Sequence, residues 1–194
     1  MSSYRQIVYH LVFRTKDSRK TIVPVHSREL YAYIMGIIRN KSCTLYRING
    51  MEDHIHILCD LHPSTALADF MRNIKVSTSI WLKQSGKFPD FNGWGNGYAA
   101  LTYGWKDKDM IATYIKNQHE HHNKESFENE LRRLLEEDDR RQTADHRCAR
   151  SHERIDRQFL LNIHTANENP MAGFRDSHTS NQRNASGLAL RSTP

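Results

Sequence analysis

The stretch Cys43-Thr44-Leu45-Tyr46-Arg47-Ile48-Asn49-Gly50-Met51-Glu52-Asp53-His54-Ile55-His56-Ile57-Leu58-Cys59-Asp60-Leu61 decides the fold. Residues 43–48 read as a strand, Asn49-Gly50 is a turn dipeptide, and residues 53–61 read as the next strand. Together they form an antiparallel hairpin. Side chains alternate along a strand, so Ile55 and Ile57 face a helix-covered core. His54 and His56 then lie side by side on the opposite, open face of the sheet.

Working outward, residues 4–13 are rich in aromatic and β-branched types and read as a strand. A polar, basic loop follows at residues 14–20. Residues 27–39 repeat Leu30, Tyr31, Ile34, Ile37 and Ile38 at helical spacing, with Ser27 as a cap. Downstream, residues 64–84 form a long helix with Leu67, Phe70, Met71, Ile74 and Trp81 as its apolar stripe. Residues 86–97 are a Gly-, Pro- and Asn-rich loop. Residues 98–103 are a fourth strand, ended by Gly104. Helices follow at 107–122 and 126–137, the last with Phe127, Leu131, Leu134 and Leu135 apolar.

The order β-α-β-β-α-β-α-α gives an α+β class, a ferredoxin-like split βαβ sandwich with a four-stranded antiparallel sheet. Extra C-terminal helices carry Tyr114. They lie on the open sheet face or cross to a partner. Composition changes near Asp139: residues 139–194 hold nine arginines and no lysine, against ten lysines and nine arginines before. The expected domains are therefore 1–138 and an arginine-rich, mostly disordered extension over 139–194, with a short docked helix over 155–163.

The 194 residues carry a net charge of +6, and residues 1–50 hold nine Lys/Arg against two Asp/Glu. A basic end suggests a polyanionic partner such as nucleic acid. Three scattered cysteines argue against a disulfide framework and for a reducing, cytoplasmic setting. The opening apolar stretch carries His10 and ends at Arg14, so it is neither a signal peptide nor a membrane span.

Two groups carry chemistry. His54 and His56 have the geometry of a bidentate metal site; two surface histidines on a half-exposed strand would look the same. Tyr114 and Gln118, four residues apart on a helix, share a face. Gln118 could give a metal a third, uncharged ligand; alternatively Tyr114 is a core aromatic and Gln118 solvated. Together the groups could polarise a phosphodiester and let the tyrosine hydroxyl attack phosphorus. Arg14, Lys16, Arg19 and Lys20 suit DNA phosphates or form a solvated loop. Arg72, Lys75 and Lys83 on the long helix could bind a hairpin stem or form a solvated face. His122 could touch a phosphate or replace Gln118. Asp53 could orient an imidazole or instead face the core side or the strand edge; His10 could neighbour the site but reads rather as a satisfied, half-buried histidine.

Residues 50–58, residues 98–101 and residues 114–122, with an opening strand that includes His10-Leu11-Val12-Phe13-Arg14-Thr15-Lys16, resemble the single-tyrosine HUH transposases of small bacterial insertion sequences. These belong with the REP-associated transposases in one superfamily. The resemblance covers residues 4–137. It implies His54, His56 and Gln118 as ligands of Mg²⁺ or Mn²⁺, and Tyr114 as the nucleophile. It also implies single-stranded DNA with hairpins at element ends as substrate, and a homodimer with active sites completed across subunits. Three other readings compete: a non-catalytic DNA-hairpin-binding regulatory module, a metal-dependent phosphodiesterase using water, and a zinc enzyme drawing on His121 and His122.

Overall fold

The computed structural model describes residues 6–122 and 126–145. The helix expected at 155–163 lies outside them, as does nearly all of the arginine-rich extension. The sheet contains β1 (Ile7–Arg14), β2 (Thr44–Gly50), β3 (His54–Asp60) and β4 (Ala99–Gly104), in the order β2-β3-β1-β4. All three pairings are antiparallel. Two crossover helices, α1 (Ser27–Asn40) and α2 (Leu67–Gln84), pack on one face. The α+β split βαβ sandwich expected from the sequence is the observed fold.

On that face Leu11, Phe13, Ile55, Ile57 and Cys59 meet Leu30, Ile34, Ile38, Phe70 and Ile74 in the main core. The opposite face is not open. Val8, Val12, Leu58, Ala99, Leu101 and Tyr103 pack there against α3 (Lys108–Lys116) and α5 (Phe127–Asp145). The apolar stripe Phe127, Leu131, Leu134 would otherwise remain in water, and the sheet's second apolar face buries it. In this way the C-terminal helices roof the strand that carries His54 and His56. α5 continues past Asp139, across the change in composition.

Local chemistry moves three boundaries. The helix expected from residue 64 begins at Leu67. His62 Nδ1 instead ties the Oγ and backbone N–H of Ser64, which holds residues 62–65 in a turn. The single helix expected over 107–122 divides into α3 and α4 (Gln118–His122). Asn49 Nδ2 donates to the carbonyls of Ile115 at 2.9 Å and Lys116 at 3.1 Å, so a side chain takes the acceptors that would continue the helix. Gly50 is a strand residue, not part of the turn. A Cβ there would lie 2.9 Å from Ile55 Cα and closer still to the His54 carbonyl. Glycine lets the two backbones meet beside His54.

Candidate metal and tyrosine site

His54 and His56 point to the same face of β3, as the alternation requires, but both are fully buried. Their Nε2 atoms lie 3.8 and 3.7 Å from one carboxylate oxygen, Glu130 Oε2 on α5. Phe127, one turn earlier on α5, stacks on His54 with ring centroids 4.4 Å apart. Asp53 Oδ1 lies 2.6 Å from His54 Nδ1. A carboxylate only accepts, so the His54 hydrogen belongs on Nδ1 and its Nε2 lone pair faces Glu130. Asp53 precedes β3, which frees it from the strand alternation.

Tyr114 on α3 and Gln118 at the start of α4 reach the same carboxylate. Tyr114 donates its hydroxyl hydrogen to Glu130 Oε1, and Gln118 Nε2 donates to that oxygen at 2.8 Å. The shared face expected of these two residues thus survives the break at Asn117. Arg133 Nη2 donates to the Tyr114 oxygen at 3.3 Å. Burial, and then the charge of Glu130, push the Tyr114 hydroxyl well above the usual phenol range, with Arg133 opposing.

The residues fit a divalent cation. His54, His56 and Glu130 offer ligand atoms within 4.8 Å of one another. The 3.7–3.8 Å gaps are too long for hydrogen bonds, yet two ligands of one small cation can sit this far apart. Gln118 Oε1 is buried with no hydrogen-bond partner, a neutral oxygen that a cation would satisfy. Glu130 was missed in the sequence reading. The signal was present, because Glu130 falls on the apolar stripe Phe127, Leu131, Leu134, where an unpaired carboxylate has no place.

The expected DNA contacts divide into two groups. Lys16, Arg19 and Lys20 are exposed beside Glu52 and Asp53, at the end of the sheet where β3 begins, and Lys20 pairs with Glu52 at 3.6 Å. Arg72 and Lys83 are exposed on α2, and Arg72 is paired with Asp69. Arg14 and Lys75 are engaged inside the protein. Arg14 belongs to β1, not to the loop, and its guanidinium donates to Ser18 Oγ at 2.8 Å. Lys75 Nζ donates to the carbonyls of Gly95 at 2.6 Å and Gly97 at 2.9 Å, fastening the Gly-rich loop to α2. Phe88, Phe91 and Trp94 anchor that loop. The side chain of His122 lies outside the description. Among the described residues no helix is long and apolar enough to cross a membrane.

The family model for IS200-like transposases matches residues 3–118. The chain is 29% identical over 115 residues to the transposase for insertion sequence element IS200 of Salmonella typhimurium, covering 57% of this chain and 75% of that one. It is 24% identical over 120 residues to the ISDra2 transposase TnpA of Deinococcus radiodurans, covering 59% and 86%. A solved structure of the REP-associated tyrosine transposase bound to a REP hairpin aligns with a TM-score of 0.48 at 17% identity, over 63% of this chain and 74% of that one. The family match takes in the opening strand, the histidine pair, Tyr114 and Gln118, and the chain belongs to the IS200-like transposases, a family of DNA-cleaving and rejoining enzymes.

Proposed function

We propose that the protein cleaves and rejoins single-stranded DNA at insertion-sequence ends through a 5′-phosphotyrosine on Tyr114. One observation carries this reading: the Tyr114 hydroxyl, the Gln118 amide and both imidazoles converge on a single buried carboxylate. His54, His56 and Gln118 would hold Mg²⁺ or Mn²⁺, with Glu130 as an anionic neighbour or fourth ligand. The cation, when bound, polarises the scissile phosphodiester. The Tyr114 oxygen bonds to phosphorus as the bond to the 3′-oxygen breaks, Glu130 is placed to take the phenol hydrogen, and the departing 3′-oxygen takes a proton from water to become the free hydroxyl. A second 3′-hydroxyl reverses the step on another strand. Lys16, Arg19, Lys20, Arg72 and Lys83 would hold phosphates, with His122 a further candidate, while Arg14 and Lys75 shape the loops that present them.

Substrates would be single strands with hairpins at element ends, met in the cytoplasm. Tyr114 stands beside the histidine pair of its own chain, with ring centroids 6.4 Å from His56, which favours action within one chain. A homodimer with sites completed across subunits is the alternative arrangement.

The test mixes the protein with labelled single strands from the flanks of its gene, in Mg²⁺, Mn²⁺ or EDTA, with Tyr114→Phe alongside. We expect a denaturation-resistant, metal-dependent adduct that the variant lacks. Cleavage without an adduct would mean that water is the nucleophile. Binding without cleavage would mean a hairpin-binding module.

A further inference from the structure

His10 was expected to be a satisfied, half-buried histidine. It is fully buried, and its Nδ1 has no hydrogen-bond partner. On the same face of β1 its neighbours are Val8 and Val12, which pack under α3 and α5. An imidazole between two valines costs burial of polar atoms that a leucine would avoid. Packing alone does not account for a histidine at this position.

The sheet register does account for it. His10 pairs with Leu58 across β1 and β3, and Val12 pairs with His56, so His10 and His56 are diagonal neighbours on one face. His10 Nε2 lies 2.9 Å from His56 Nδ1. The ring centroids are 5.1 Å apart and the planes only 30° from parallel. So short an N···N contact at that centroid separation joins the rings edge to edge, which is hydrogen-bond geometry and not face-to-face stacking.

The arrangement repeats what Asp53 does for His54. In each case Nδ1 is engaged by a partner, and Nε2 is turned toward Glu130 Oε2. We propose that His10 is a positioning residue for His56: its Nε2 accepts the His56 Nδ1 hydrogen, which leaves the His56 Nε2 lone pair for a divalent cation. The hydrogen of His10 itself then sits on Nδ1, the buried nitrogen without a partner. A fold keeps such an orphan donor where it fixes a proton elsewhere. A neutral imidazole has one nitrogen free to accept, and His10 turns its Nε2 to that contact. Its partner is a ligand in the metal reading above, on which this inference rests.

The test compares His10→Leu and His10→Gln with wild type. Leucine suits the apolar site but accepts nothing, whereas the glutamine carbonyl can still accept from His56. Mn²⁺ affinity is measured by calorimetry without DNA, and thermal melting reports folding. His10→Leu should melt near wild type yet bind Mn²⁺ about 10–100-fold more weakly, with His10→Gln restoring most of the loss. In nitrogen-15 NMR of the Mg²⁺-loaded protein, a coupling across the hydrogen bond should join the two rings, with the hydrogen on His56 Nδ1. Wild-type Mn²⁺ affinity in His10→Leu, or a hydrogen residing on His10 Nε2, overturns the proposal. If wild type binds no Mn²⁺, the metal reading fails, and the NMR spectrum of the metal-free protein still decides which ring carries the hydrogen.

Discussion

Tyr114 and Glu130 lie on different helices, yet the half-buried tyrosine hydroxyl donates directly to the buried glutamate carboxylate on α5. Burial, and then the charge of Glu130, therefore hold the Tyr114 hydroxyl in its neutral form. Glu130→Gln removes the charge and keeps the size, so the Tyr114 hydroxyl should ionise at lower pH than in wild type. Burial, the larger cause, persists, and the return toward about 10 is partial. The folded pKa is raised, so the stability that neutral Tyr114 contributes is complete below about pH 10 and lost as pH rises toward the folded value. Ultraviolet difference titration against Tyr114→Phe reads the shift. An unchanged midpoint would mean that Glu130 has no electrostatic hold on the phenol.

The roof over the site has its own consequence. His54, His56 and Gln118 are fully buried beneath α5, through Phe127, Glu130 and Leu131. In the proposed reaction a scissile phosphate reaches Tyr114 and these ligands, which requires α5 to yield when DNA binds. Hydrogen exchange over residues 127–137 should quicken when a flanking oligonucleotide and Mg²⁺ are added, while α2 stays protected. Unchanged α5 exchange in a protein that is forming adducts would show that the strand enters by another route.

The sequence made the sheet legible because its signals are local. The alternation around Ile55 and Ile57, the stripe on α1 and the order of elements all depend on near neighbours. The histidine pair and Tyr114 were legible for the same reason, since each is defined within five residues. What stayed hidden depends on distant contacts. Asn49 divides α3 from α4 across 66 residues of chain. The closing of the expected open face needed α5 to be placed in space, and with it the role of Glu130. His10 was expected to be half-buried and is fully buried, because its register opposite Leu58 is a property of strand pairing and not of composition.

Lys75 shows how a cation can be read correctly as a residue type and wrongly as a free charge. Its two bonds to the Gly95 and Gly97 carbonyls hold the Gly-rich loop, and Gly95 in turn bonds Arg14 at the end of β1. Hydrogen bonds from a charged donor are worth about 1.5–3 kcal/mol, reduced here because Lys75 is only partly buried. Lys75→Ala should cost about 2 kcal/mol, or roughly 4–8 °C in Tm for a chain of this size. Lys83→Ala, on the exposed face of the same helix, should change Tm by less than about 2 °C, consistent with small surface effects. Equal Tm losses in both variants would remove the strap.

The exposed cations make the complementary prediction. Lys16 and Arg19 stand in water beside the end of the sheet where His54 begins, in a loop whose backbone is fastened at Thr15, Thr21 and Ile22. A side chain free in solution but carried on a fixed backbone can neutralise a phosphate with little reorganisation. Each such contact on single-stranded DNA steepens the logarithmic salt dependence of binding by about 0.7. The double variant Lys16→Ala with Arg19→Ala should flatten that slope by about 1.4, and Lys83→Ala by about 0.7 if α2 also lies along the strand. Titrating a fluorescent single strand at several salt concentrations measures both. A slope that stays at the wild-type value in the double variant would place the strand away from the loop that follows β1.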